Sequence, residues 1–195
     1  MRARLLEILK SNNNANCVVG IPRIYLKEDQ ERMTERKWSF WKNYTGKKIL
    51  DLYEPNKFYG SAFITRPDTN SAIDCKEYYD ELKLIWKDKE VLVMHGEGTG
   101  FLKRLSLLET AKTYKVIQGP IRDAFTAHKL LLHKLTELST PDMVILLSLG
   151  PEATVLAYDL AQADRQAIDL GHLGMFYAHI HPKDKNWDGV NREII

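Results

Sequence analysis

Apolar runs of strand length alternate along this chain with stretches of helical periodicity, and each strand-like run ends in a polar or glycine-rich turn. Leu5, Leu6, Ile8 and Leu9 recur at helical spacing and predict a helix over 2–10, stopped by Ser11-Asn12-Asn13-Asn14. Asn16 to Ile21 predicts a buried strand ended by Pro22. Glu28 to Tyr44 predicts a helix whose Trp38, Trp41 and Tyr44 fit a core face better than a ligand platform. Phe58 to Thr65 predicts a strand closed by Arg66-Pro67, and Asp74 to Trp86 an amphipathic helix with Tyr78, Leu82 and Ile85 on one side.

The same alternation continues. Glu90 to Met94 predicts a strand followed by His95-Gly96-Glu97-Gly98-Thr99-Gly100. Leu105 to Thr113 predicts a helix, Lys115 to Ile117 a short strand, and Arg122 to Leu138 a helix that buries Phe125, Leu131, Leu135 and Leu138. The clearest unit runs from Leu146 to His172. The apolar run Met143 to Leu149 stops at Gly150-Pro151, and a helix with Val155, Leu156 and Leu160 on its apolar side starts at once. The short run Ala167-Ile168 then ends in Asp169-Leu170-Gly171-His172. Strand, turn, helix and strand in this order make a parallel crossover unit. The whole chain therefore predicts a three-layer, Rossmann-like α/β domain with a mostly parallel sheet over 1–181, and a polar tail over 182–195.

Composition narrows the class. The chain has 195 residues, 44% hydrophobic and 28% charged, enough for a real core, and a formal net charge of +2. That charge is too small, and too evenly scattered, to predict nucleic acid as a partner. Cys17 and Cys75 offer neither a disulfide framework nor a metal-binding spacing, and Cys17 sits in an apolar run that predicts burial. With no bilayer-length apolar run and no signal peptide, the expected location is the cytoplasm, with peripheral association at the inner face of the membrane left open.

In an open parallel sheet, ligands bind beyond the carboxyl ends of the strands, and helix N-termini there favour anions. Four such ends carry polar residues: Thr65-Arg66, His95-Gly96-Glu97, Ser148 to Gly150, and Asp169 to His172. Arg66 suits a forked phosphate contact or is an exposed turn residue. Glu97 suits a metal, a sugar hydroxyl or a catalytic base, or caps the next helix. Asp169 and His172 suit an ion or a nucleotide, or are a turn-stabilising acid and an ordinary histidine. Gly96-X-Gly98-X-Gly100 is not the dinucleotide fingerprint, and no P-loop or serine nucleophile elbow is present. His179-X-His181 lacks a third metal partner in sequence, and His128 and His133, five apart, face different sides of their helix.

At these residues the chain resembles the GT-D type glycosyltransferases, a bacterial family of Rossmann-like enzymes that use sugar nucleotides. The resemblance rests on Phe58 to Pro67, on Gly96-Glu97, and most on Leu149 to Leu160 with Gln166 to His172. It implies transfer of a hexose, glucose from a UDP donor, onto a glycan or a glycosylated protein. It implies Gly150, Pro151, Thr154 and Tyr158 on the diphosphate side, Asp169 and His172 facing the nucleotide or metal, Glu97 as base and Arg66 as charge stabiliser. A divalent ion, manganese or magnesium, is expected for the family, held by an Asp-X-Glu motif in a segment upstream of the part matched here. No such motif precedes the helix at Arg2, so the expectation is a chain lacking that N-terminal unit. The family's loop after the acid has an arginine and a Gly-rich Asn-Asp stretch, where this chain has Gly100 and then Leu102-Lys103-Arg104-Leu105-Ser106. The alternative expectation is a degenerate, non-catalytic subunit that binds a nucleotide, a copy of itself or another glycosyltransferase.

Overall fold

The computed structural model describes residues 1–11, 17–22, 52–54, 56–67, 73–96, 106–180 and, as backbone, 192–194. The chain divides into two compact units, Met1–Ile73 and Asp74–Ile195.

In the first unit, α1 (Arg2–Lys10) ends where the Ser11 hydroxyl donates to the Ile8 carbonyl at 2.7 Å. The Lys57 ammonium donates to the Leu9 carbonyl at 2.8 Å and to that of Ser11, placing a cation on the negative end of the helix. β1 (Gly20–Ile21) pairs in parallel with β2 (Gly60–Ser61). A side chain at Gly60 would meet Val18 Cγ1 at 3.0 Å, so the glycine permits the close approach. Both strands are shorter than the sequence pattern predicts. After β2 the Ser61 hydroxyl takes the Phe63 N–H at 3.1 Å and its carbonyl takes that of Ile64 at 3.3 Å, which turns the chain out of the ladder. Cys17 is half-buried rather than buried. The aromatic helix predicted over 28–44 lies outside the described residues.

In the second unit, α2 (Cys75–Leu82) starts at Asp74, whose carboxylate accepts the N–H groups of Lys76 at 2.8 Å and Glu77 at 3.1 Å. A single 3-10 turn, Lys83–Trp86, extends it. The strands β3 (Glu90–Gly96), β4 (Thr113–Gly119), β5 (Val144–Ser148), β6 (Gln166–Asp169) and β7 (Arg192–Ile194) form one parallel sheet in the order β6-β5-β3-β4-β7. β3 is central, with Val91 opposite Tyr114 on one side and Val144 on the other. Between strands run α3 (His128–Leu138), α4 (Pro151–Gln162) and α5 (Leu173–Ile180).

Strand alternation sorts the core into two layers. Val91, Val93, Val116 and Leu146 pack with Tyr79 and Trp86 beneath α2 and with Leu173 and Tyr177 of α5. Leu92, Met94, Ile145 and Leu147 pack with Leu131 and Leu135 of α3 and with Leu156 and Leu160 of α4. The result is the expected three-layer arrangement. β3 is apolar from Val91 to Met94 because helices cover it on both faces.

Besides α5, which lies where the sequence predicts no helix, three elements depart from the sequence reading. Leu105 to Thr113 is not a helix: its described part holds a 3-10 turn at 106–108, and β4 begins at Thr113. The Trp86 indole donates to the Leu107 carbonyl at 3.0 Å and the Thr110 hydroxyl to the Lys83 carbonyl at 3.0 Å, which fixes this stretch against α2 instead. The predicted helix over Arg122 to Leu138 starts as a 3-10 turn at Ala124 after a left-handed Asp123. β7 places part of the polar tail at the edge of the sheet beside β4. Among the described residues, no helix is long and apolar enough to cross a membrane.

Candidate functional site

The strand order contains a topological switch point. β3 and β5 are neighbours, yet the chain leaves β3 toward β4 on one side and leaves β5 toward β6 on the other. A crevice opens at the carboxyl ends of such a pair.

At the end of β3, His95 is buried and its Nδ1–H donates to the Gly96 carbonyl at 2.8 Å. Glu97 and the glycines after it lie outside the described residues. At the end of β5, Gly150 holds φ 59° and ψ −149°, a conformation open essentially to glycine alone. It caps α4, and Pro151 follows at the first helical position, where a missing N–H costs nothing. Gly150 and Pro151 are both exposed.

The end of β6 is clasped onto β5 and α4. The Leu170 N–H donates to the Leu147 carbonyl at 2.8 Å, and the Ser148 hydroxyl donates to the Gly171 carbonyl at 2.7 Å. Asp169 spends both oxygens within the protein: Oδ2 accepts the Thr154 hydroxyl at 2.7 Å and Oδ1 the Gly171 N–H at 2.9 Å. Burial pushes the Asp169 carboxyl above its ordinary value, opposed by these two hydrogen bonds and by the nearby His172. His172 is exposed, and its carbonyl accepts the N–H groups of Met175 at 3.0 Å and Phe176 at 3.3 Å at the start of α5.

Gly150, Pro151, Thr154, Asp169 and His172 thus share one end of the sheet, with the Thr154–Asp169 bond behind an exposed rim of Gly150, Pro151 and His172. Tyr158 stands one helical turn beyond Thr154, half-buried. Arg66 belongs to the first unit, where its N–H donates to the Phe63 carbonyl at 2.8 Å. Among the described residues, no three of His, Cys, Asp and Glu gather as a metal requires. With Asp169 committed internally as well, these residues do not fit a divalent ion. His179 is exposed on the last turn of α5, and His181 lies outside the described residues.

The sequence reading missed the charged residues behind α4. Glu152, only 1% exposed, sits in the first turn of α4, and its Oε1 lies 2.6 Å from His128 Nδ1. The other ring nitrogen, Nε2, lies 3.0 Å from Asp159 Oδ2. Glu152 and Asp159 are seven residues apart, two turns on one helix face, and that spacing was the available signal. His133 points elsewhere, to Glu137 at the surface at 3.2 Å.

Comparison with known proteins identifies the family of the chain. Residues 1–186 match the family profile described as the glycosyltransferase GT-D fold. The chain is 28% identical over 205 residues to "Probable glycosyl transferase Gly" of Streptococcus gordonii, covering 96% of this chain and 30% of that protein. It is 28% identical over 201 residues to "Glycosyltransferase GlyD" of Streptococcus pneumoniae serotype 4, covering 93% of this chain and 24% of that protein. The chain therefore spans less than a third of either curated relative. Among solved structures, it superposes with a TM-score of 0.81 at 26% identity on a chain described as a new glycosyltransferase from Streptococcus sanguinis, covering 99% of this chain and 81% of that one. A second, described as a domain of unknown function with a distinct glycosyltransferase fold, gives a TM-score of 0.80 at 27% identity, covering 98% of this chain and 70% of that one.

Proposed function

The chain belongs to the glycosyltransferase GT-D fold family, and on that premise we propose that it binds a sugar nucleotide at the carboxyl ends of β3, β5 and β6 and transfers the hexose to an acceptor. The observation that carries this reading is the switch point between β3 and β5, edged by the glycine-specific turn at Gly150 and clasped to β6 through Thr154 and Asp169. The expected donor is a UDP-hexose, glucose first, and the expected acceptor a glycan or a glycosylated protein.

Departure of a nucleoside diphosphate builds negative charge on its phosphates, and preorganised positive groups must meet that charge. In this reading Gly150 and Pro151 let the donor approach the backbone at the start of α4. Thr154 and Asp169 fix that turn, and His172, exposed at the start of α5, faces the nucleotide. Tyr158 supports the same face of α4 from one turn below. Glu97 as base and Arg66 as charge stabiliser rest on the family resemblance alone. No step is assigned to a metal, because the described residues do not fit one.

One observation favours a second reading, a nucleotide-binding subunit without turnover. Asp169 and Thr154 satisfy each other, and a buried carboxylate, Glu152, already occupies the first turn of α4. Thermal unfolding against UDP, GDP and UDP-hexoses, with and without manganese, tests both readings, because a ligand of the folded state raises the midpoint. A shift with uridine nucleotides, together with release of hexose from UDP-hexose, is expected for the transferase. A shift without release selects the non-catalytic reading. No shift with any nucleotide removes both.

A further inference from the structure

We infer that His128 is a positioning residue of the donor site: it neutralises the buried Glu152 carboxylate so that the start of α4 can face a nucleoside diphosphate. The inference rests on the donor reading above. A helix N-terminus attracts negative charge, and at α4 the first negative charge to arrive is the helix's own Glu152, the second helical residue after the Gly150 cap. That side chain is only 1% exposed. Its Oε2 has no hydrogen-bond partner among the described residues, so the pairing of Oε1 with His128 at 2.6 Å carries the stabilisation of the group.

His128 is the first residue of α3 and also reaches Asp159, two turns further along α4, at 3.0 Å. Carboxylate oxygens only accept, so the bond to Glu152 calls for an N–H at Nδ1, while Nε2 stands at ion-pair distance from Asp159. The imidazole stands between the two carboxylates, and one side chain ties α3 to the first two turns of α4. The Phe125 ring, 5.8 Å away between centroids, closes another side.

Without the imidazole, a buried carboxylate stands unpaired in the turn next to Gly150 and Pro151. Its charge then opposes a diphosphate but not an uncharged nucleoside. This difference separates the inference from a merely structural role, in which both ligands would suffer alike.

Calorimetric titration of the full chain with UDP and with uridine provides the test. His128→Ala is expected to lose about tenfold in UDP affinity, the scale of one unit charge acting at protein-surface distances, with uridine unchanged. Adding Glu152→Gln to His128→Ala is expected to restore UDP binding to within about twofold of the wild type. His128→Asn, whose amide can donate to Glu152 but cannot neutralise it, is expected to lose UDP affinity as His128→Ala does. Glu152→Gln alone removes the carboxylate nearest the start of α4 and is expected to raise UDP affinity, a comparison available even if His128→Ala fails to fold. Equal losses for UDP and uridine, no rescue by the double variant, or a fall in the Glu152→Gln variant overturns the inference. A wild-type chain that does not bind UDP overturns the donor reading itself. Failure confined to the variants leaves that reading standing and removes His128 from it.

Discussion

Replacing Asp169 by alanine tests whether the end of β6 is held as the structure shows. The substitution removes the acceptor for the Thr154 hydroxyl at 2.7 Å and for the Gly171 N–H at 2.9 Å. A hydrogen bond to a charged group contributes roughly 1.5–3 kcal/mol, and a buried donor left without its partner costs a similar amount. Burial works against the ionised carboxylate, as its raised pKa records, and offsets part of that gain. The expected net loss is about 2–4 kcal/mol. For a folding unit of this size that is a fall in Tm on the order of 10 °C. Urea unfolding followed by circular dichroism measures it, with an unchanged m-value expected. Combination with Thr154→Val should reveal a coupling of about 1 kcal/mol. A loss below about 0.5 kcal/mol, or no coupling, would mean that Asp169 turns outward in solution, and the clasp would be refuted.

Asp169→Asn adds a pH signature. The folded pKa of Asp169 is raised, so as pH climbs from the ordinary carboxylate range toward that raised value the unfolded chain ionises first. The folded state then holds more protons, and wild-type stability falls across the window. The asparagine variant lacks this fall and should gain on the wild type there; parallel stability–pH curves would contradict the assignment. Gly150→Ala should cost about 1–3 kcal/mol in urea unfolding through backbone strain alone, because among the described residues no atom beyond its chain neighbours lies within 4 Å of the added carbon. A neutral result would show that the turn relaxes. Trp86→Phe removes the donor to the buried Leu107 carbonyl and opens space in the core, for a loss of about 2–4 kcal/mol by the same measurement. Lys83 is buried, which alone would lower its pKa, but hydrogen bonds and charge interactions with Glu109 and Tyr177 hold it above the ordinary lysine value. Its contribution is present below that ordinary value and is lost as pH rises through the folded one. Lys83→Met should therefore flatten the fall in stability above about pH 10, and an unchanged alkaline slope would count against the pairing.

The sheet was legible in the sequence where burial is two-sided. Val91 to Met94 of β3 and Val144 to Leu147 of β5 are unbroken apolar runs because helices cover both faces, and Gly150-Pro151 announces α4 through backbone geometry that few other residues supply. Apolar composition overestimates β1 and β2 because it does not reveal a side-chain hydrogen bond that ends a ladder, such as the one the Ser61 hydroxyl accepts from the Phe63 N–H. α5 went unread: Leu173, Gly174 and Tyr177 are buried, but a glycine in its first turn and nearly continuous apolarity hide the helical period. β7 is short and polar, so only its pairing with β4 identifies it. At the site, the polar strand ends that sequence singled out do converge at β5 and β6. Single-residue reading gave no hint that Asp169 and Thr154 would satisfy each other, since that bond joins residues 15 positions apart through the crossover. Spacing within α3 relates His128 only to His133, while its partners lie on α4.

The position of β3 at the centre of the sheet also bears on how the chain emerges from the ribosome. β3 is made before both of the strands that flank it, and β5 follows only after about fifty further residues have been added. At elongation rates of roughly 5–20 residues per second this leaves Val91 to Met94 as an open, apolar edge for several seconds. Until β5 arrives, that segment is the natural point of capture for a chaperone, or of pairing between nascent neighbours on one message. Slowing translation between Met94 and Val144 would therefore be expected to lower soluble yield more than slowing it after Ser148.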